Sequence, residues 1–176
     1  MRKSYPMAVL MTIAFCAPVQ ALDLPDCENV PGSPQSCAPV VACMPGESVY
    51  FVGRAIGWNE GTLEGETNTG VACTGEWAVG ETLQFGRARF ECEDGLAGRI
   101  VYYYQDSETG TARGTGIISG FGRVQAWAGE NIEPFLDRTR TRIDGDLMCG
   151  ETPMLLSDAQ AAWSSAQSSW MKRLSQ

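Results

Sequence analysis

The 176-residue chain contains no histidine. That absence removes Ser-His-Asp and Cys-His catalysis as they are usually built, and with it the imidazole ligand of the common zinc sites. Lysine is nearly missing as well: Lys3 and Lys172 are the only two, so a Ser-Lys pair would have to draw on the far end of the chain. There is no Cys-x-x-Cys pair, no Asp-Thr-Gly or Asp-Ser-Gly motif of an aspartic protease, and no twelve-residue calcium-loop pattern. After the first twenty residues no apolar run is long enough to cross ~30 Å of hydrocarbon as a helix. The sequence therefore predicts no metal, no cofactor and no stable membrane insertion of the mature chain.

The N-terminus reads as an export signal over residues 1–21. Arg2 and Lys3 precede an apolar stretch at 7–15, and Val19 and Ala21 put small residues at the positions read for cleavage after Ala21. The bulky Phe15 before Cys16 argues against lipid attachment. Cleavage shifts the formal net charge from −8 to −10, because the signal contains cations and no carboxylate. A chain of that sign repels nucleic acid, so no nucleic-acid partner is expected. Six cysteines remain: Cys27, Cys37, Cys43, Cys73, Cys92 and Cys149. An even number in an exported chain implies up to three disulfides, with fifteen connectivities open.

Residues 22–46 hold five prolines and three cysteines. Proline at that density predicts an irregular, extended segment stapled to the rest by disulfides. Residues 47–150 change to short β-branched and aromatic runs separated by Gly, Asp, Asn and Glu clusters. The pattern predicts strands at 48–58, 70–79, 82–92, 98–105, 111–118 and 121–128, with NEGTLEGETN between the first two as a connection. The close spacing leaves no room for crossover helices, so the strands must run antiparallel through hairpins. The fold class is mainly β: an antiparallel meander, small barrel or sandwich, disulfide-stapled, with one C-terminal α-helix. That helix is expected over 157–174. Ser157 and Gln160 have capping-box spacing, and Ala159, Trp163, Ala166, Trp170 and Leu174 form one stripe. Trp163, Trp170 and Leu174 are its expected contact face against the β domain.

The stretch GTARGTGIISGFGR, residues 110–123, has five glycines, yet neither dinucleotide nor phosphate-loop spacing fits it. Gly110, Ala112, Gly114, Gly116, Ile118, Gly120 and Gly122 alternate with larger residues, which predicts a strand pair turning near Ser119-Gly120. A face stripped of side chains allows strong coiling or a close aromatic neighbour, for which Tyr102, Tyr103, Tyr104 and Trp127 are available.

Four groups of residues are candidates for function. In DRTRTRID, a strand would project Arg138, Arg140 and Arg142 from one face, where they could hold a carboxylate or phosphate. Tyr102, Tyr103, Tyr104 and Trp127, with Trp58 and Trp77, could form an aromatic surface for a protein or glycan partner; the middle tyrosine must point opposite to the other two. Glu91 and Glu93 could share a strand face as a carboxylate pair. Asp144-Gly145-Asp146 reads as a hairpin turn more readily than as a calcium site. The leading expectation is an exported, non-catalytic binding or interaction protein of the periplasm or cell exterior, with inhibition of a secreted enzyme as one concrete form. The competing expectations are a carboxylate-dependent hydrolase acting on a saccharide, or a structural component of an envelope or surface assembly. Oligomeric state has no signature in the sequence.

Overall fold

The computed structural model describes residues 27–80, 85–120, 122–139, 142–143 and 146–154. Eight strands follow one another through hairpins: β1 (Cys37–Met44), β2 (Val49–Trp58), β3 (Glu60–Thr67), β4 (Ala72–Val79), β5 (Gly86–Cys92), β6 (Ala97–Gln105), β7 (Ala112–Ile118) and β8 (Gly122–Ala128). Each pairs antiparallel with the next, and β8 returns to pair with β1, so the sheet closes into a barrel. A short helix, α1 (Ile132–Arg138), comes next, then β9 (Arg142–Ile143), β10 (Asp146–Cys149) and β11 (Thr152–Pro153) in a separate small sheet. Of the three β architectures expected, the barrel is the one formed.

Strand alternation sends one set of side chains inward. Val40, Ala42, Met44, Phe51, Leu63, Ile100, Ile118, Val124 and Ala126 form the buried inner core. Large inward residues lie over glycines. The ring of Phe51 covers Gly53 and Gly65, where an added Cβ would come within 2.4 and 2.6 Å of Cζ. Tyr102 lies over Gly114 in the same way, at 3.0 Å. The glycine face of residues 110–123 thus receives an aromatic neighbour, at Gly114. What is left between Val40, Phe51, Leu63, Ile100 and Ile118 is a void of about 10 Å³, room for one water at most.

A second core lies outside the barrel. Val41, Cys43, Tyr50, Val52 and Trp127, facing outward from β1, β2 and β8, are covered by Ile132, Phe135 and Leu136 of α1 together with Leu147, Cys149 and Met154. Disulfides join Cys27 to Cys37, Cys43 to Cys149 and Cys73 to Cys92. The second ties β10 to the outer side of β1. The third joins two residues that face each other across β4 and β5. No helix among the described residues is long and apolar enough to cross a membrane.

Three elements depart from the sequence reading. The segment 22–46 is not irregular throughout, because β1 occupies Cys37–Met44 and is paired on both sides. Its proline sits where the ladder can spare a donor. Pro39 turns its carbonyl toward β8, accepting from the Gly129 N–H at 3.0 Å, so its missing N–H takes nothing from the β2 ladder. Residues 60–67, read as a connection, form β3. Gly61 and Gly65 occupy two of its inward positions, leaving Leu63 as the only apolar side chain in the alternation. The segment expected to project Arg138 from a strand is instead helical at that point. Ile132, Phe135 and Leu136 have helical spacing, and Pro134 falls in the first turn, where its N–H is not needed. The expected signal at 1–21 and the expected helix at 157–174, with Trp163, Trp170 and Leu174, lie outside the described residues.

Candidate functional site

β1, β2 and β8 are covered on their outer side, whereas the other outer wall of the barrel is covered by none of the described residues. Strand register fixes what it displays. Glu76, Arg89, Arg99, Ile117 and Arg123 are successive partners across β4 to β8 and form one outward row. Arg87, Val101 and Thr115 form the next row. A groove of about 1010 Å³ runs over this wall, lined by Thr62, Glu76, Arg89, Arg99, Val101 and Ile117 among others. It continues into a hollow of about 550 Å³ that shares Thr62, Glu76 and Arg89 and adds Arg87. On the inner side of β7, a Cβ at Gly116 would sit 1.9 Å from the Arg99 carbonyl oxygen, an approach only glycine permits.

Two properties set this wall apart. Ile117 is 72% exposed and Val101 44%, so aliphatic side chains of β7 and β6 stand in water. Around them, Arg87, Arg89, Arg99 and Arg123 form no ion pair with any described residue, although acids outnumber cations in the chain. Elsewhere on the outer surface an arginine is neutralised locally: Arg54 on β2 meets Glu64 on β3 at 2.5 and 2.7 Å. An outer face bearing arginines and glutamates around an apolar interior is also the reverse of a lipid-facing barrel.

The residues singled out in the sequence do not converge here. Arg138 ends α1, where its guanidinium donates to Asp106 and, at 2.7 Å, to Glu108, and lies over the Phe135 ring. Arg140 lies outside the described residues, and Arg142 belongs to β9, so no row of three arginines on one strand exists. The tyrosines scatter because of a β-bulge between Tyr102 and Tyr104. Tyr102 faces inward, where burial pushes its phenol well above the ordinary range. Tyr104 pairs with outward-facing Arg113, packs against Phe135 and donates to Asp106 at 3.2 Å. The bulge thus overturns simple alternation: Tyr102 and Tyr104 point to opposite sides, and Tyr103 is the extra, exposed residue. Trp127 is buried under α1, while Trp77 turns inward and donates its Nε1–H to the Ile56 carbonyl at 3.2 Å. Glu91 lies on β5, but Glu93 is already in the following turn, so the two do not share a strand. Asp144 and Gly145 lie outside the described residues.

Asp106 is the most tightly held carboxylate described. It accepts from the Thr109 hydroxyl at 2.7 Å and backbone N–H at 2.9 Å, from Tyr104 and from Arg138. The Thr109 hydroxyl first, then Arg138, hold its carboxyl well below the usual range. These contacts tie the 106–111 turn to α1; Asn131 completes the join, donating to the Thr109 carbonyl at 2.9 Å. The cluster is a structural clasp.

The arginine and aliphatic rows were missed because each arginine looked ordinary in the sequence. Arg87 and Arg89 at i and i+2 were legible as one strand face. That Arg99 and Ile117 complete it depends on hairpin register. No protein-family model, curated protein or solved structure matches the chain.

Proposed function

We propose that the chain is an exported, non-catalytic binding protein of the periplasm or cell exterior, and that the outer wall formed by β3 to β7 is its contact surface. One observation carries this reading: exposed Ile117 and Val101 share a groove with arginines that have no ion partner among the described residues. Isolated apolar side chains on a surface are common, but an aliphatic cluster flanked by guanidinium groups free of ion pairs with described residues has the composition of a binding patch. The filled interior supports an exterior site, since it leaves no room for a ligand of ordinary size. Three disulfides support an oxidising compartment. A closed barrel with one wall uncovered by the described residues is also a suitable scaffold for inhibiting a secreted enzyme, the concrete form this reading takes.

The test is crosslinking capture from the native periplasmic or extracellular fraction with three oxidised baits: the wild type, Ile117→Ser and Arg99→Glu. A partner retained by the wild type, lost from both variants and crosslinked to β5, β6 or β7 supports the reading. Retention of the same partners by all three baits removes this wall as the contact surface.

A further inference from the structure

We infer that the groove on the outer wall takes an acidic, partly apolar peptide segment of a partner protein, with carboxylates on Arg89 and Arg99 and an apolar side chain against Val101 and Ile117. The inference rests on the proposed binding role and specifies its chemistry. The charge argument is local and runs against the whole molecule. The chain has a net charge of −8, yet Arg87, Arg89 and Arg99 meet on adjacent positions of β5 and β6 and form no ion pair with any described residue, Glu76 opposite Arg89 included. Glu76 and Glu91 flank Arg89 in the same groove, across β4 and along β5, whereas Arg99 has Arg89 on one side and Ile117 on the other.

Like charges placed directly opposite on paired strands repel. A third carboxylate-bearing chain laid over Arg89 and Arg99 would relieve that repulsion. Each planar guanidinium can form two parallel hydrogen bonds with a carboxylate, a geometry an ammonium does not offer. The apolar half of the recognition follows from register. Ile117 is the direct partner of Arg99, and Val101 lies two residues along β6 from it, so the aliphatic and cationic positions interleave. A polyol or bare polyanion would leave this aliphatic area in contact with polar groups and without hydrogen bonds. A peptide alternating acidic and apolar side chains satisfies both.

The probe is a fluorescein-labelled twelve-residue peptide of alternating glutamate and leucine, titrated by anisotropy with the mature, disulfide-intact protein. The comparison probes alternate glutamate with serine, alternate lysine with leucine, or are oligogalacturonate. The glutamate-leucine peptide should bind saturably and at least five-fold more tightly than the other three. Its affinity should fall several-fold between 50 and 200 mM salt, at least ten-fold in Arg99→Glu, and at least five-fold in Ile117→Ser, with Arg54→Ala unchanged. Arg89→Glu is the second charge variant should Arg99→Glu fail to fold, as judged by near-ultraviolet dichroism. Equal binding of the lysine peptide, or unchanged binding in Arg99→Glu and Arg89→Glu, overturns the inference. Tighter binding of oligogalacturonate overturns the peptide assignment in favour of a polyanionic glycan. If a native partner crosslinks to this wall but none of the probes binds, the peptide chemistry is wrong while the binding role stands.

Discussion

Arg89 of β5 and Arg99 of β6 are direct register partners on the outer face of the barrel, two cations side by side, neither within ion-pair distance of a described acid. A sheet selected only for stability would place opposite charges there. Arg99→Glu converts the repulsive pair into an attractive one and should raise unfolding free energy by about 0.2–1 kcal/mol. Arg99→Lys keeps the repulsion and should leave stability unchanged. Urea unfolding at pH 7 and low salt measures both, and the gain in the glutamate variant should shrink as salt is added. A loss of stability in Arg99→Glu would mean that the arginine is held by interactions within the fold.

Gly116 and Gly46 provide a second contrast. An alanine Cβ at Gly116 would meet the Arg99 carbonyl at 1.9 Å, and a carbonyl of a paired strand cannot rotate away as a side chain can. Gly116→Ala should therefore destabilise by more than the ~1–3 kcal/mol typical of overpacking, or unfold the barrel. At Gly46 an added Cβ meets nothing within 4 Å and the backbone is not left-handed. Gly46→Ala should be neutral or stabilise by about 0.4–1 kcal/mol through the unfolded chain. Thermal melts of the two variants separate the cases.

The disulfides should differ in worth by the loops they close. Cys43–Cys149 spans 106 residues and Cys27–Cys37 spans 10. Chain-entropy scaling makes the longer loop worth about 2 kcal/mol more. Replacing Cys43 and Cys149 together by serine should lower the urea midpoint more than replacing Cys27 and Cys37. It should also raise amide exchange in the 146–154 segment, which that bond pins to β1. Equal losses would show that unfolded-state structure, and not loop closure, decides the effect.

The sequence made some of this visible and hid the rest for identifiable reasons. β2 and β4 to β8 were legible because β-branched and aromatic residues alternate between clear turn signals. β3 was not, because glycine at inward positions removes the apolar half of the alternation. β1 was masked by Pro39, whose cost depends on which neighbour its absent N–H would face, a property of pairing. The disulfide cysteines were identifiable by count and compartment, their connectivity only from the fold. The candidate site was least legible: Arg89, Arg99 and Ile117 are separated in the chain and meet only through hairpin register, whereas of the arginines clustered in sequence Arg138 ends a helix and Arg142 lies on β9. Tyr104 was misdirected by one bulged residue.

Asp106 and Arg138 lead to the last prediction, on pH. The Asp106 carboxyl is held well below its ordinary range, by the Thr109 hydroxyl and then by Arg138, whose own proton Asp106 in turn retains more firmly. A carboxyl with a depressed folded-state pKa binds fewer protons in the native than in the unfolded protein. Its contribution is therefore complete above the ordinary unfolded value of about 4 and is lost as the pH falls through the lower folded value. Asp106→Asn removes that dependence and leaves Arg138 with Glu108 alone. The wild type should be more stable than the variant at pH 7, by a margin that is constant down to about pH 5 and then closes toward pH 2. Urea midpoints across that range measure the margin. Amide exchange localises it: protection of 106–111 and of α1 should fall in the variant at pH 7, while that of β2 to β5 is unchanged. A margin that persists undiminished at pH 2 would mean that Asp106 stabilises the clasp by packing and neutral hydrogen bonds, with its charge on Arg138 contributing nothing.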